Sequence, residues 1–196
     1  MNRAGKHFVP PILGLCLAVA ACHPTGVDST SDYSTVTTAH DATYNFGAAR
    51  TYSLPTQVVS VGAPDAGPAT PVPPQIQTAI LSSIQTQMNA RGYQKVSPGA
   101  NPDLIVGAAF LEVTNISYYY GYWCSYYPYY PCFPYYPPVV GISSYTVGSV
   151  LIDFATPQPS QNKLGGVWTA LLRGVSSGNN TTDSTRISAG ISQAFI

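Results

Sequence analysis

Apolar residues recur along this chain at two different periods, and the places where the period changes mark its elements. Ile76, Ile80, Leu81, Ile84 and Met88 fall on one face of a helix. That helix starts behind Pro74, runs over 75–91 and ends at Arg91, where Gly92 follows as the C′ residue. Leu104 to Val113, opened by Asn101-Pro102-Asp103, predicts a long strand. Shorter strands are predicted around Val36, over Thr51-Tyr52-Ser53-Leu54 after a turn at Asn45-Phe46-Gly47, and over Tyr93 to Val96 before a turn at Pro98-Gly99. Val147 to Ala155 and Val167 to Val175 read as a hairpin with a long, polar, Pro-containing loop at 156–165. Asp183 or Ser184 can cap a last helix with Ile187, Ile191 and Phe195 facing inward. The order β-β-α-β-β-insert-β-β-α predicts an α+β fold: one mostly antiparallel or mixed sheet, covered on one face by two helices.

Two segments fit neither period. Residues 55–74 hold six prolines and read as a loop, since Pro removes ladder and helix donors. Residues 115–140 form a Tyr/Pro-rich insert that carries Tyr118, Tyr119, Tyr120, Tyr122, Trp123, Tyr126, Tyr127, Tyr129, Tyr130, Phe133, Tyr135 and Tyr136 with no charge among them. Tyr offers broad, rigid contact area with a polar tip, so these aromatic residues form a candidate binding surface for a partner or ligand. Two other readings stand beside it: a low-complexity loop packed on its own domain, and a membrane-interface contact.

The N-terminus addresses the chain out of the cytosol. Arg3 and Lys6 precede an apolar stretch from Phe8 to Ala21 that ends in small residues, the layout of a signal peptide over 1–21. Pro10 and Pro11 break the stretch, which falls short of the ~20 residues of a membrane-spanning helix. Val19-Ala20-Ala21-Cys22 looks like a bacterial lipobox, which makes Cys22 the lipidation site; ordinary cleavage, leaving Cys22 a free thiol, is the alternative. Residues 22–32 then read as a lipid-attached tether, and 33–196 as a single domain. The three acyl chains of a mature lipoprotein anchor it without help from the domain.

Composition narrows the chemistry. Eight Lys+Arg balance eight Asp+Glu, and only 8% of residues are charged, so there is no cationic surface for nucleic acid. Losing Arg3 and Lys6 with the signal peptide makes the mature chain mildly acidic. Once Cys16 leaves and Cys22 is lipidated, Cys124 and Cys132 remain, and outside the cytosol a disulfide between them is the default reading. A metal site is the weaker rival, because zinc usually takes four ligands and no His lies beyond His40. No metal, cofactor or catalytic residue is therefore assigned. Gly174-Val175-Ser176-Ser177-Gly178 matches the nucleophile-elbow pattern, but an elbow needs a later His, so Ser176 is read as a chance match.

Several stretches together resemble the bacterial envelope lipoproteins grouped as domain of unknown function 4136. They are the lipobox, Asn45-Phe46 through Arg50-Thr51-Tyr52-Ser53-Leu54-Pro55, Ala90-Arg91-Gly92-Tyr93, Pro102-Asp103-Leu104-Ile105-Val106, Gly148-Ser149-Val150-Leu151-Ile152-Asp153-Phe154, and Val167-Trp168-Thr169-Ala170. Asn45 stands where that family usually has an acid, and Thr169 where it usually has Arg. The resemblance implies a compact α+β lipoprotein domain on the outer membrane facing the periplasm, and it carries no activity. The expectation is a non-enzymatic, membrane-anchored protein, attached through lipid on Cys22, that binds an envelope protein or glycan. A purely structural envelope component, or a serine hydrolase using Ser176, are the alternatives.

Overall fold

The computed structural model describes residues 34–62, 70–112, 148–158 and 164–196, together with the backbone of 135–136 and 163. Met1–Ala21, Cys22, Cys124, Cys132 and the aromatic side chains of the insert lie outside the described residues. Those described form a mixed eight-stranded sheet and two long helices, an α+β fold. The strands are β1 (Thr35–His40), β2 (Thr51–Ser53), β3 (Val59–Val61), β4 (Gln94–Lys95), β5 (Leu104–Leu111), β6 (Tyr135–Tyr136), β7 (Ser149–Gln158) and β8 (Lys163–Arg173). The helices are α1 (Pro74–Ala90) and α2 (Asn180–Ala194).

The sheet runs β1-β8-β7-β5-β2-β4, with β3 also on β5 and β6 also on β8. Its centre is antiparallel: β5 pairs with β7 from Ile105↔Ala155 to Leu111↔Ser149, and β7 with β8 from Val150↔Leu172 to Gln158↔Lys163. On β5's other side β2 and β3 are parallel, because α1 carries the chain over between them and the central strand. The side-chain period of two then places Leu104, Val106 and Ala108 on one face with Val150, Ile152, Phe154, Ala170 and Leu172.

Both helices dock on that face. Ile76, Ile80, Ile84 and Met88 of α1 and Ile187 and Ile191 of α2 join it in one core cluster, each buried side chain contributing ~1.5–3 kcal/mol. Between the helices Ser83 Oγ donates to Ser188 Oγ at 3.1 Å. Gly190 lets α2 approach the sheet, since a Cβ there would meet Leu172 Cδ2 at 2.8 Å. Gly92, at φ 83, takes the left-handed conformation expected just past α1 and turns the chain toward β4.

The opposite face is equally dry. Ile105, Ala109, Leu111, Leu151 and Leu171 are at most 1% exposed, and the buried Ser53, Ser149, Asp153 and Thr169 share their side of the sheet. No described helix lies on it.

Three boundaries differ from the pattern reading. The segment 55–74 contains β3, because its run Val58-Val59-Ser60-Val61 is free of proline and its alternation seats Val59 and Val61 against Ala109 and Leu111. The β7–β8 hairpin closes at 159–162, not over 156–165. Pro157 is tolerated inside β7 because β5 pairing stops at Ala155, so no described strand on that side needs its missing N–H. Helix α2 starts earlier than predicted: Asn179 is the N-cap, its Oδ1 accepting from the N–H groups of Thr181 and Thr182 at 3.1 Å. Asp183 is instead buried in the first turn, where its Oδ1 accepts from Ser177 N at 2.7 Å and Ser177 Oγ at 2.6 Å.

Candidate functional site

One end of the domain carries a cleft of about 380 Å³ where five elements and a loop meet. Thr38 and His40 of β1 form one wall. Phe46 comes from the loop after β1, Met88, Arg91 and Tyr93 from the end of α1, and Phe154 and Trp168 from β7 and β8; Ala194, Phe195 and Ile196 close it at the end of α2. The register explains the convergence, since His40 pairs with Trp168 and Trp168 with Phe154, which sets the three side by side on the helix face.

Its interior is aromatic. The Phe154 and Trp168 ring centroids are 4.6 Å apart, Trp168 and Phe195 5.3 Å, and Phe154 and Phe195 5.8 Å, all tilted rather than stacked flat. Arg91 lies over Phe195 with Cζ 5.0 Å from the ring centroid, a cation–π geometry. Its Nη1 donates to Gln87 Oε1 at 2.8 Å and to Gln87 O at 3.1 Å, and its Nη2 to the Phe195 carbonyl. Arg has five N–H donors, more than these contacts use. Tyr93 donates its hydroxyl to the Phe46 carbonyl at 3.2 Å, and burial pushes its pKa above the ordinary tyrosine value. Among the described residues no acidic side chain lines the cleft, and an apolar hollow opens beside one guanidinium and one imidazole.

Hydrogen bonds from the loop's own residues shape the entrance. Asp41 Oδ1 accepts from Thr43 N at 2.8 Å and Thr43 Oγ1 at 2.7 Å, which holds the Asp41 carboxyl below its usual range. Asn45 Oδ1 accepts from Gly47 N at 3.1 Å, and Tyr44 meets Phe46 edge to face at 4.7 Å. Farther along, Asp103 Oδ2 accepts from Arg50 N at 2.8 Å, Thr51 N at 2.9 Å and Thr51 Oγ1 at 2.9 Å. These bonds, from the Arg50 amide first, lower the Asp103 pKa and tie the start of β2 to the start of β5.

Among the described residues, Ser176 is far from the one histidine, His40. His40 sits at one end of the β1–β8 pairing and Arg173 at the other, ~17 Å away by strand rise, with Ser176 beyond it. Cys22, Cys124 and Cys132 lie outside the described residues, as do the insert's aromatic side chains; only the backbone of Tyr135 and Tyr136 is placed, in β6. Among the described residues no group of three or more His, Cys, Asp or Glu could hold a metal, and no helix is long and apolar enough to cross a membrane. Sequence reasoning missed the cleft, whose residues are scattered from Thr38 to Ile196. The one local signal was Arg91-Gly92-Tyr93, where a cation and an aromatic flank a helix stop.

Residues 36–196 match the sequence profile of the family Domain of unknown function (DUF4136). The crystal structure of a DUF4136 family protein from Bacteroides thetaiotaomicron VPI-5482 has a similar fold, with a TM-score of 0.64 at 22% identity over 83% of this chain and 94% of that one. The PelC dodecamer from Paraburkholderia phytofirmans aligns with a TM-score of 0.35 at 14% identity over 81% of this chain and 96% of that one. No curated protein matches the sequence.

Proposed function

We propose that this chain, which belongs to the DUF4136 family, is a non-enzymatic lipoprotein that binds a partner in the cell envelope through its aromatic cleft. Lipid on Cys22 would hold it in the outer membrane facing the periplasm, and the Val19-Ala20-Ala21-Cys22 run supports that anchoring. Of the two candidate contact surfaces, the Tyr-rich insert and the cleft, the cleft is the one whose groups are placed. The observation that carries the reading is the union of Phe154, Trp168 and Phe195 with Arg91 in one hollow.

Tilted aromatic walls accept an apolar or aromatic side chain, and a guanidinium beside them selects a carboxylate next to it. Aromatic and Arg groups are those on which interface energy concentrates. The partner that fits is a protein segment bearing an apolar side chain near an acidic one. A photo-crosslinking residue at the exposed Thr38 rim should capture one partner in living cells, whereas the same residue at Thr86 on the outer face of α1 should not. Equal capture from both positions would overturn the reading. A fluorophosphonate probe should leave Ser176 unmodified, and stoichiometric labelling there would restore the hydrolase alternative.

A further inference from the structure

The two edges of the sheet are guarded differently. At one, β4 is two residues long and carries Lys95, the short, charged form that discourages pairing with another chain. At the other, β1 runs for six residues, Thr35–His40, with no proline, lysine or carboxylate among them. Among the described residues no strand pairs with its outer side. Thr35, Thr37, Thr38 and His40 are exposed, and Thr and Val favour extended backbone, so this edge is a ready template for one more strand.

The register fixes which backbone groups the edge offers. Asp41 N donates to the carbonyl of Val167, the residue directly opposite it, at 2.8 Å. Antiparallel ladders alternate, so Ala39, Thr37 and Thr35 also face β8, whereas Val36, Thr38 and His40 turn their N–H and C=O groups outward. The same three residues put their side chains on the helix face, opposite Leu172, Ala170 and Trp168, and Thr38 and His40 line the cleft. The outward backbone groups and one cleft wall therefore belong to the same residues. Resting on the cleft as the partner's site, we infer that the partner's segment binds as an extended strand added to the outer edge of β1. An added strand lies ~4.8 Å from β1, which sets its side chain opposite Thr38 or His40 at the mouth of the cleft and the next on that face two residues along. Backbone bonds then supply affinity, and the apolar and acidic side chains supply selectivity. A second copy of this chain fits less well, since its own Thr35–His40 holds no carboxylate for Arg91.

Selection of a phage-displayed library of random twelve-residue peptides on the full mature protein supplies the probe. Enriched peptides should carry an apolar and an acidic residue two positions apart. Synthetic copies N-methylated at one amide at a time should fall into two alternating sets, one binding at least ~tenfold more weakly and the other unchanged. Thr38→Pro removes an outward N–H without touching the β8 ladder, so it should weaken binding as much and leave melting nearly unchanged, while Thr38→Val should bind as wild type. Should Thr38→Pro melt early, the N-methyl series alone decides. Peptides that lose binding to Arg91→Glu but tolerate N-methylation at every amide would overturn the added strand and leave the cleft reading standing. Peptides sensitive along one edge but indifferent to Arg91→Glu would uphold the strand and overturn the cleft reading. A library that yields no binder overturns the strand, as does a dimer in sedimentation that Thr38→Pro dissolves, which would give the edge to a second copy.

Discussion

Replacing Asp103 by Ala removes three hydrogen bonds at once, from Arg50 N, Thr51 N and Thr51 Oγ1, all between 2.8 and 2.9 Å. In a dry site charge-assisted bonds of this kind would each contribute ~1.5–3 kcal/mol. Asp103 is exposed, so water takes over part of what is lost, and a total of about 2 kcal/mol is the reasonable scale. For a domain of this size that corresponds to a melting temperature about 4–8 °C lower at pH 7. Asp103→Asn keeps an acceptor oxygen without the charge and should fall between Ala and wild type. The pH dependence has a definite sign. The folded carboxyl titrates below its ordinary value, so its stabilisation is fully present above the unfolded Asp value of ~3.9 and is lost as pH falls through the lower folded one. Melting curves of wild type and Asp103→Ala should therefore differ by a constant gap from neutral pH down to ~5 and converge below ~3.9. Identical melting temperatures at pH 7, or a gap undiminished in acid, would refute the pinning of β2 to β5.

Ile80→Asp would place an unpaired charge at a fully buried position on α1 and should destabilise by several kcal/mol, while Thr78→Asp on the exposed side should be nearly neutral; equal melting temperatures would refute the docking of that helix face. Metabolic labelling with a palmitate analogue should mark the wild-type protein and not Cys22→Ser, and label retained by the variant would remove the lipoprotein reading. If Cys124 and Cys132 are bridged, the short loop they close contributes less than the ~3 kcal/mol of a 15-residue loop, so reduction should loosen the insert and leave the domain melting nearly unchanged. Mass spectrometry that finds both thiols free in protein from the envelope would remove the bridge.

The fold was legible wherever a single period ran long enough to be unambiguous. Ile76 to Met88 could only be one helix face, and Leu104 to Leu111 only a buried strand. Strand β3 was hidden because it is three residues long among prolines, and its pairing with β5 is a long-range fact. The α2 cap was misplaced because Asp183 has a capping residue's chemistry but uses it on Ser177 from inside the helix, while Asn179 satisfies the first N–H groups. The cleft lay beyond local reading altogether. Phe154 and Trp168 read only as strand residues and Phe195 as an inward helix residue, and only the β7–β8 register and the end of α2 bring them against Arg91.

The most direct test of the account is the affinity of the partner captured at Thr38 for three purified proteins: wild type, Arg91→Glu and Lys95→Glu. Both positions are exposed and both changes reverse one positive charge, but only Arg91 lines the cleft, Lys95 donating instead to Gln85 Oε1. The account predicts at least ~tenfold weaker binding for Arg91→Glu, about 1.4 kcal/mol, and little change for Lys95→Glu. Equal affinities for all three would contradict it.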